Sequence, residues 1–172
     1  PISSNAANVE IQIQPTITPT AEFVNDIETS VTLTEAQAQA GGFVLDDAAQ
    51  VAYYGAGSFN TGTLTVSYLS STNRVDDQLA IRNQGSGPFQ IGVSGSDISF
   101  AGTVIGSFTG GGVGNGLLTV TLNASATPLA LRALAQNITY QNTAPPSGTT
   151  DRYVSFRLTD GDGGTSNAAN VE

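Results

Sequence analysis

The chain has 172 residues, a formal net charge of −9 and 39% hydrophobic residues, and it contains no cysteine, histidine, tryptophan or methionine. Its five basic residues are all arginine and are outnumbered by 14 acidic ones, which argues against nucleic acid and anionic membrane surfaces as partners. The absence of cysteine excludes a disulfide framework, and no apolar run approaches the roughly 20 residues that a membrane-spanning helix needs.

The first predicted element follows a sequence that occurs twice. The seven residues SNAANVE stand at Ser4–Glu10 and again at Ser166–Glu172, 162 positions apart. This identity indicates a tandem array. After the first copy, Val9–Gln14 alternates apolar and polar residues and predicts a strand. We interpret 1–24 as the tail strand and connector of a preceding repeat, and 25–172 as one repeat lacking its final strand.

Further along the chain, short alternating runs predict a series of strands. Pro15–Thr20 is rich in proline and threonine and predicts an extended connector, and Gly110–Gly116 predicts a flexible turn. The predicted strands are Val31–Glu35, Gly41–Leu45, Gln50–Tyr54, Thr63–Leu69, Gln78–Arg82, Phe89–Val93, Asp97–Phe100, Thr103–Phe108, Leu117–Leu122, Ile138–Gln141 and Tyr153–Thr159. Many short strands separated by regular turns are typical of an antiparallel β-sandwich, so the expected fold class is all-β.

One segment interrupts the strands. In Ala126–Asn137, Thr127 is a suitable N-cap, Pro128 suits the first helical position and strong helix formers follow. Ala130, Leu134 and Ile138 share one face at a spacing of four residues. The pattern predicts one short helix at about 128–136.

Two aspartates near the end of the chain form a candidate metal site. Asp160 and Asp162 are two positions apart in the glycine-rich sequence DGDGG, so both carboxylates can face one ion. Fourteen acidic residues without histidine or cysteine favour Ca²⁺, which prefers oxygen ligands, over zinc or copper. The alternative is that Asp-Gly is only favourable turn chemistry.

The region Thr127–Asp162 resembles the bacterial cadherin-like and proteoglycan-type (CSPG-type) tandem repeats of giant extracellular adhesins. The resemblance is carried by the short helix, by Ile138–Asn142, and by a strand that ends in Leu158-Thr159-Asp160-Gly161-Asp162. Val24-Asn25-Asp26 is similar to the Asn-Asp junction that opens such modules. The resemblance implies an Ig- or cadherin-like sandwich, secreted to the cell surface and often stiffened by Ca²⁺.

The same resemblance implies further Ca²⁺ ligands. A Glu near the first strand, acidic residues in the following loop and an Asp before a Leu recur in these repeats. They correspond here to Glu35, Asp46 and Asp77, and the opening junction adds Asp26. The alternative for each is a solvated carboxylate in a loop.

Two function classes follow, and neither is enzymatic, because without histidine and cysteine the usual nucleophile–base pairs cannot be built. The first is a structural repeat of an extracellular filament or giant adhesin. Its copies would join head to tail, with Val9–Gln14 of one copy inserted as a donor strand into the next; folding back within the same chain is the alternative. The second is a module that binds carbohydrate or protein, for which Tyr53-Tyr54 is the pair expected to expose a side chain.

Overall fold

The computed structural model describes residues 21–23, 32–53, 59–69, 75–144, 151–166 and 168–171. In these ranges the chain forms an all-β sandwich with two short helices. The helices are α1 (Glu35–Gln39) and α2 (Pro128–Ala135). The strands are β1 (Ala21–Phe23), β2 (Phe43–Val44), β3 (Val51–Tyr53), β4 (Thr63–Tyr68), β5 (Asp77–Ile81), β6 (Ile91–Ser94), β7 (Asp97–Phe100), β8 (Thr103–Gly110), β9 (Gly112–Val113), β10 (Leu117–Leu122), β11 (Ile138–Asn142), β12 (Val154–Thr159) and β13 (Ala169–Val171).

Two antiparallel sheets form the sandwich. The larger sheet has seven strands in the order β13-β12-β4-β10-β8-β7-β6, and the smaller has four in the order β2-β11-β5-β9. The short strands β1 and β3 pair separately. Helix α2 carries the chain from β10 in the larger sheet to β11 in the smaller one, so it crosses between the two layers.

A single apolar core lies between the layers. In β4, Leu64, Val66 and Tyr68 are buried while the residues between them are partly exposed, as the alternation predicts. β12 shows the same pattern with Val154, Phe156 and Leu158 buried. From the opposite side come the buried residues Leu79, Ala130, Leu131, Leu134, Ile138 and Tyr140.

The predicted helix is confirmed at Pro128–Ala135, with the Thr127 hydroxyl accepting the Ala130 N–H at 3.2 Å. The strand predicted at Val31–Glu35 is wrong, because residues 32–34 form no strand and Glu35 begins α1. Thr34 and Gln37 form a capping box, in which each side chain bonds the other's backbone. This local capping stabilises a helix more than the alternation of Val31 and Leu33 stabilises a strand.

Three strands were not predicted. β1 pairs with β3, and β9 lies inside the segment predicted as a flexible turn, pairing with Gln78 and Leu79 of β5. β13 is formed by the second copy of the repeated sequence, with Ala169 opposite Phe156 and Val171 opposite Val154. The predicted strand Val9–Gln14 and connector Pro15–Thr20 lie outside the described residues.

Candidate cation site and buried ion pair

The turn after β12 is a hairpin that leads back along the same strand. The Ser166 N–H donates to the Leu158 carbonyl at 2.7 Å, and the Asp160 N–H donates to the Gly164 carbonyl at 3.2 Å. Between these two contacts, Thr159 and Thr165 form a bridge. The predicted candidate residues Asp160 and Asp162 therefore belong to one tight turn at the end of the larger sheet.

Asp160 is fully buried in this turn and its two carboxylate oxygens differ. Oδ1 accepts the N–H of Asp162 at 2.9 Å and of Gly164 at 2.8 Å. Oδ2 is also buried, but no hydrogen-bond donor among the described residues reaches it. The two hydrogen bonds to Oδ1 are those expected if the Asp-Gly sequence serves only to form a turn. Oδ2 is a buried anionic oxygen available to a ligand, whereas polar atoms in that position normally have a partner.

A second turn packs against Asp160 through its backbone. Gly161 has φ +85°, and a Cβ at this position would collide with the Asn60 carbonyl oxygen and lie 2.7 Å from the Thr61 hydroxyl. A Cβ on Gly62 would collide with the Thr159 carbonyl oxygen and lie 3.0 Å from that of Phe59. Carbonyl oxygens thus lie close to the Asp160 turn, and they are the ligands that complete Ca²⁺ sites alongside carboxylates.

The donor chemistry of this end of the molecule fits a hard cation. Asp162 is exposed, so its carboxylate can turn towards an ion bound at Asp160. Nowhere in the described ranges do three or more acidic, histidine or cysteine residues come together in a metal-binding group. An ion held here would therefore take Asp160 and Asp162 as carboxylate ligands and complete its shell with carbonyls and water.

The structure does not bring the other predicted ligands to this turn. Asp46 is buried after β2, and its Oδ1 accepts the Ala48 N–H at 2.8 Å, while the adjacent Asp47 is exposed. Glu35 is the first residue of α1, and its side chain is outside the described set. Asp26 also lies outside the described residues. Calcium binding at these three positions remains a prediction.

Asp77 lies in a buried ion pair. The Arg152 guanidinium donates from Nε to Asp77 Oδ2 at 2.6 Å. Asp77 Oδ1 accepts the Tyr140 hydroxyl and the Asn142 side-chain amide, both at 2.8 Å. The Arg152 guanidinium is therefore a cationic partner of this carboxylate, and calcium binding at Asp77, which the family resemblance implies, stays a prediction. No pattern in the sequence identifies this pair, because its two members are 75 positions apart.

Two tyrosines face this buried charge. Burial, the hydrogen bond to Asp77 and the negative charge of Asp77 together raise the pKa of Tyr140 to about 12. Burial, followed by the charge of Asp77, also raises the pKa of Tyr68. The two rings lie edge to face with their centroids 6.5 Å apart, so they join β4 of the larger sheet to β11 of the smaller one.

No helix within the described ranges is long and apolar enough to cross a membrane. Comparisons of this chain with models of protein families, with curated proteins and with solved structures find no match.

Proposed function

We propose that this chain is a structural repeat of an extracellular filament or giant surface adhesin, joined head to tail and stiffened by Ca²⁺. The observation that carries the proposal is the position of the repeated sequence. Its second copy supplies β13, the edge strand of the larger sheet, and its first copy precedes a further alternating run. Each copy would then help to complete a sandwich, which suits adjacent modules in a tandem array.

The role of Ca²⁺ rests on Asp160. A cation at this turn would neutralise the buried Oδ2 and fix the hairpin that leads to β13. It would also reduce the self-repulsion of a chain with a net charge of −9. Extracellular Ca²⁺ is present at millimolar concentration, so a site in an extracellular array can work with a dissociation constant of roughly 10⁻⁴–10⁻³ M.

The test is thermal unfolding with and without Ca²⁺. For a dissociation constant of about 10⁻⁴ M, 10 mM Ca²⁺ stabilises the native state by about 2.7 kcal/mol. That corresponds to a Tm roughly 5–10 °C higher than in EDTA. Asp160→Asn keeps an Oδ1 acceptor for both turn N–H groups but removes the negative charge, so it should abolish most of this difference.

Asp97→Asn is the matched control, because Asp97 is exposed on β7 away from the turn, and this variant should keep the full difference. Identical melting curves of the wild-type chain in EDTA and in Ca²⁺ would contradict a calcium-stiffened module.

A second function, binding of carbohydrate or protein, is favoured by Phe89. This side chain is 71% exposed and its backbone has φ +61°, a left-handed conformation that bulky residues rarely adopt. Its ring lies 6.4 Å from that of Phe100, which holds it at the surface. Of the pair Tyr53-Tyr54, in which the sequence predicts one exposed side chain, Tyr53 packs on Phe59 with a centroid distance of 4.6 Å, and Tyr54 lies outside the described residues.

This second function predicts a specific hit on a glycan array that Phe89→Ala removes. Leu129→Ala is the control, since Leu129 is also exposed but lies on α2. Absence of binding would leave the structural repeat as the better proposal, whereas binding that survives Phe89→Ala would show that Phe89 is not the contact.

A further inference from the structure

Phe89 stands at a turn position that normally requires glycine. The Gln90 N–H donates to the Gly87 carbonyl at 3.1 Å, so Gly87 to Gln90 form a β-turn with Pro88 and Phe89 at its centre. Proline fixes its own φ at about −65°, and Phe89 has φ +61°, which together define a type II turn. The second central residue of such a turn is usually glycine or asparagine, because a Cβ is disfavoured there.

Neither the backbone nor the core explains a phenylalanine at this position. The Phe89 side chain is 71% exposed, so it adds little burial, and its left-handed backbone costs free energy. Glycine takes the other positive-φ positions in the described ranges, except at Thr61 and Ala101. Ala101 belongs to the same site, because its N–H donates to the Gln90 carbonyl at 2.9 Å. Strained residues cluster where a protein holds a ligand, which indicates that the exposed ring serves for contact.

The segment 83–91, here called the Phe89 loop, is held in one conformation. The Gln84 N–H donates to the Ile91 carbonyl at 2.7 Å, which closes the loop at its base. At the tip, the Phe89 ring meets the Phe100 ring edge to face with centroids 6.4 Å apart, and Phe100 packs against the core. A surface ring fixed in this way loses little conformational entropy when a ligand stacks on it.

Two glutamine side chains of the Phe89 loop offer free amide donors. Gln90 Oε1 accepts the Gly87 N–H at 2.9 Å, and Gln84 Oε1 accepts the Ile91 N–H at 3.1 Å, so the orientation of each amide is fixed. Gln84 is exposed and Gln90 half-buried, and no acceptor among the described residues bonds either Nε2. Ile91 is two residues from Phe89, a separation of at most about 7 Å, so both donors lie near the ring.

The composition of the Phe89 loop favours a neutral ligand with an apolar face and hydrogen-bonding edges. The loop contains no charged residue, and the net charge of −9 disfavours anionic polymers. Pro88 is the only other exposed apolar side chain in the loop, whereas a protein partner normally buries a larger apolar patch. A pyranose sugar matches this site, because its C–H face covers one aromatic ring while its hydroxyl oxygens accept the amide N–H groups.

We infer that the Phe89 loop binds a neutral β-linked glucan, with one glucose ring stacked on Phe89 and hydroxyl oxygens accepting the Nε2 groups of Gln84 and Gln90. In β-linked glucose all ring substituents are equatorial, so both faces of the ring are flat and apolar. This inference rests on the second proposed function and deepens it, because it names the ligand class and the residues that recognise it. In a tandem array, repeated sites would bind one long polymer with avidity.

Affinity electrophoresis tests the inference with laminarin and hydroxyethyl cellulose, two soluble neutral β-glucans. The wild-type chain should migrate more slowly in a native gel that contains one of these polymers. Phe89→Gly should lose the retardation while its Tm stays at or above the wild-type value, because glycine relieves the strained φ. Phe89→Trp should stay retarded, because it keeps an aromatic face. A lower Tm of Phe89→Gly would show that the ring is retained for the fold and would overturn the inference.

Gln84→Glu and Gln90→Glu test the two donors separately. Each variant keeps the oxygen that accepts the Ile91 or Gly87 N–H and replaces only the free amide donor. We expect each to weaken glucan affinity about tenfold at an unchanged Tm, since one hydrogen bond to the ligand is lost. Wild-type affinity in both variants would show that these amides do not hold the polymer and would contradict the inferred site.

The outcomes separate this inference from the proposed functions. A wild-type chain that neither polymer retards overturns the inference. A Phe89-dependent hit of another class on the glycan array would then preserve the second proposed function, whereas absence of any hit would refute both. The Ca²⁺ dependence of the Tm tests the calcium-stiffened repeat independently of glucan binding.

Discussion

Asp77 is a fully buried carboxylate whose charge is compensated within the fold. Its carboxylate accepts hydrogen bonds from Arg152, which lies two residues before β12, and from Tyr140 and Asn142 of β11. A buried ion pair adds little net stability compared with apolar residues of the same size, but removal of one partner leaves a buried charge without compensation. The cluster therefore fixes how β12 sits relative to β5 and β11.

Asp77→Asn should lower the free energy of unfolding by about 3 kcal/mol, because it leaves the guanidinium of Arg152 largely buried beside a neutral amide. Urea unfolding followed by circular dichroism measures the change. Asp97→Asn, an identical change at an exposed position, should stay within about 0.5 kcal/mol of wild type. Equal effects of the two substitutions would show that the ion pair does not constrain the fold.

At the candidate site, the sequence predicts the turn but not the partners of each carboxylate. Asp160 and Asp162 are two positions apart in the chain, so local spacing places them in one turn. The ion pair of Asp77 depends on how two sheets are stacked, which no local pattern encodes. For the same reason the contact between the Gly161 and Asn60 turns could not be predicted, although it explains why a glycine stands at position 161.

At the scale of elements, strands that bury one face are predictable and edge pieces are not. β4, β10 and β12 show a strict alternation in the burial of their side chains. β9 has only two residues, Gly112 and Val113, and exists because β5 offers a free edge. Its glycine-rich sequence carries no strand signal, so tertiary pairing alone creates it.

The two edges of the larger sheet show how side chains control strand addition. Asn83 and Gln84 each satisfy one residue of β6 with a pair of hydrogen bonds, so they take the place of a neighbouring strand. β13 at the other edge is only three residues long. A short edge strand presents little unpaired backbone to a neighbouring strand, so the described parts of both edges limit strand addition.

At the scale of the whole molecule, charge makes the fold sensitive to alkali. Arginine keeps its charge to above pH 12, and the chain has no lysine, cysteine or histidine, so its five tyrosines dominate the alkaline titration. Ionisation of all five would change the formal net charge from −9 to −14, that is, −9 − 5. The unfolded chain releases these protons at about pH 10. Burial first, and then the bond to Asp77, hold the proton on Tyr140 in the folded state until about pH 12.

The sign of the effect follows from this difference. Below about pH 10 Tyr140 is protonated in both states, so its contribution is fully present; between pH 10 and 12 only the unfolded state loses the proton, and stability falls as pH rises. We expect ionisation of Tyr140 to lower the free energy of unfolding by about 1–3 kcal/mol between pH 9 and pH 12, measured by urea unfolding.

Tyr140→Phe should be less stable at pH 9, because it loses the bond to Asp77, but its free energy of unfolding should fall less as the pH rises. Tyr53→Phe, whose ring packs on Phe59, keeps the Asp77 cluster and should retain the wild-type fall. A wild-type free energy that stays constant from pH 9 to 12 would show that the buried charge of Asp77 does not hold these protons.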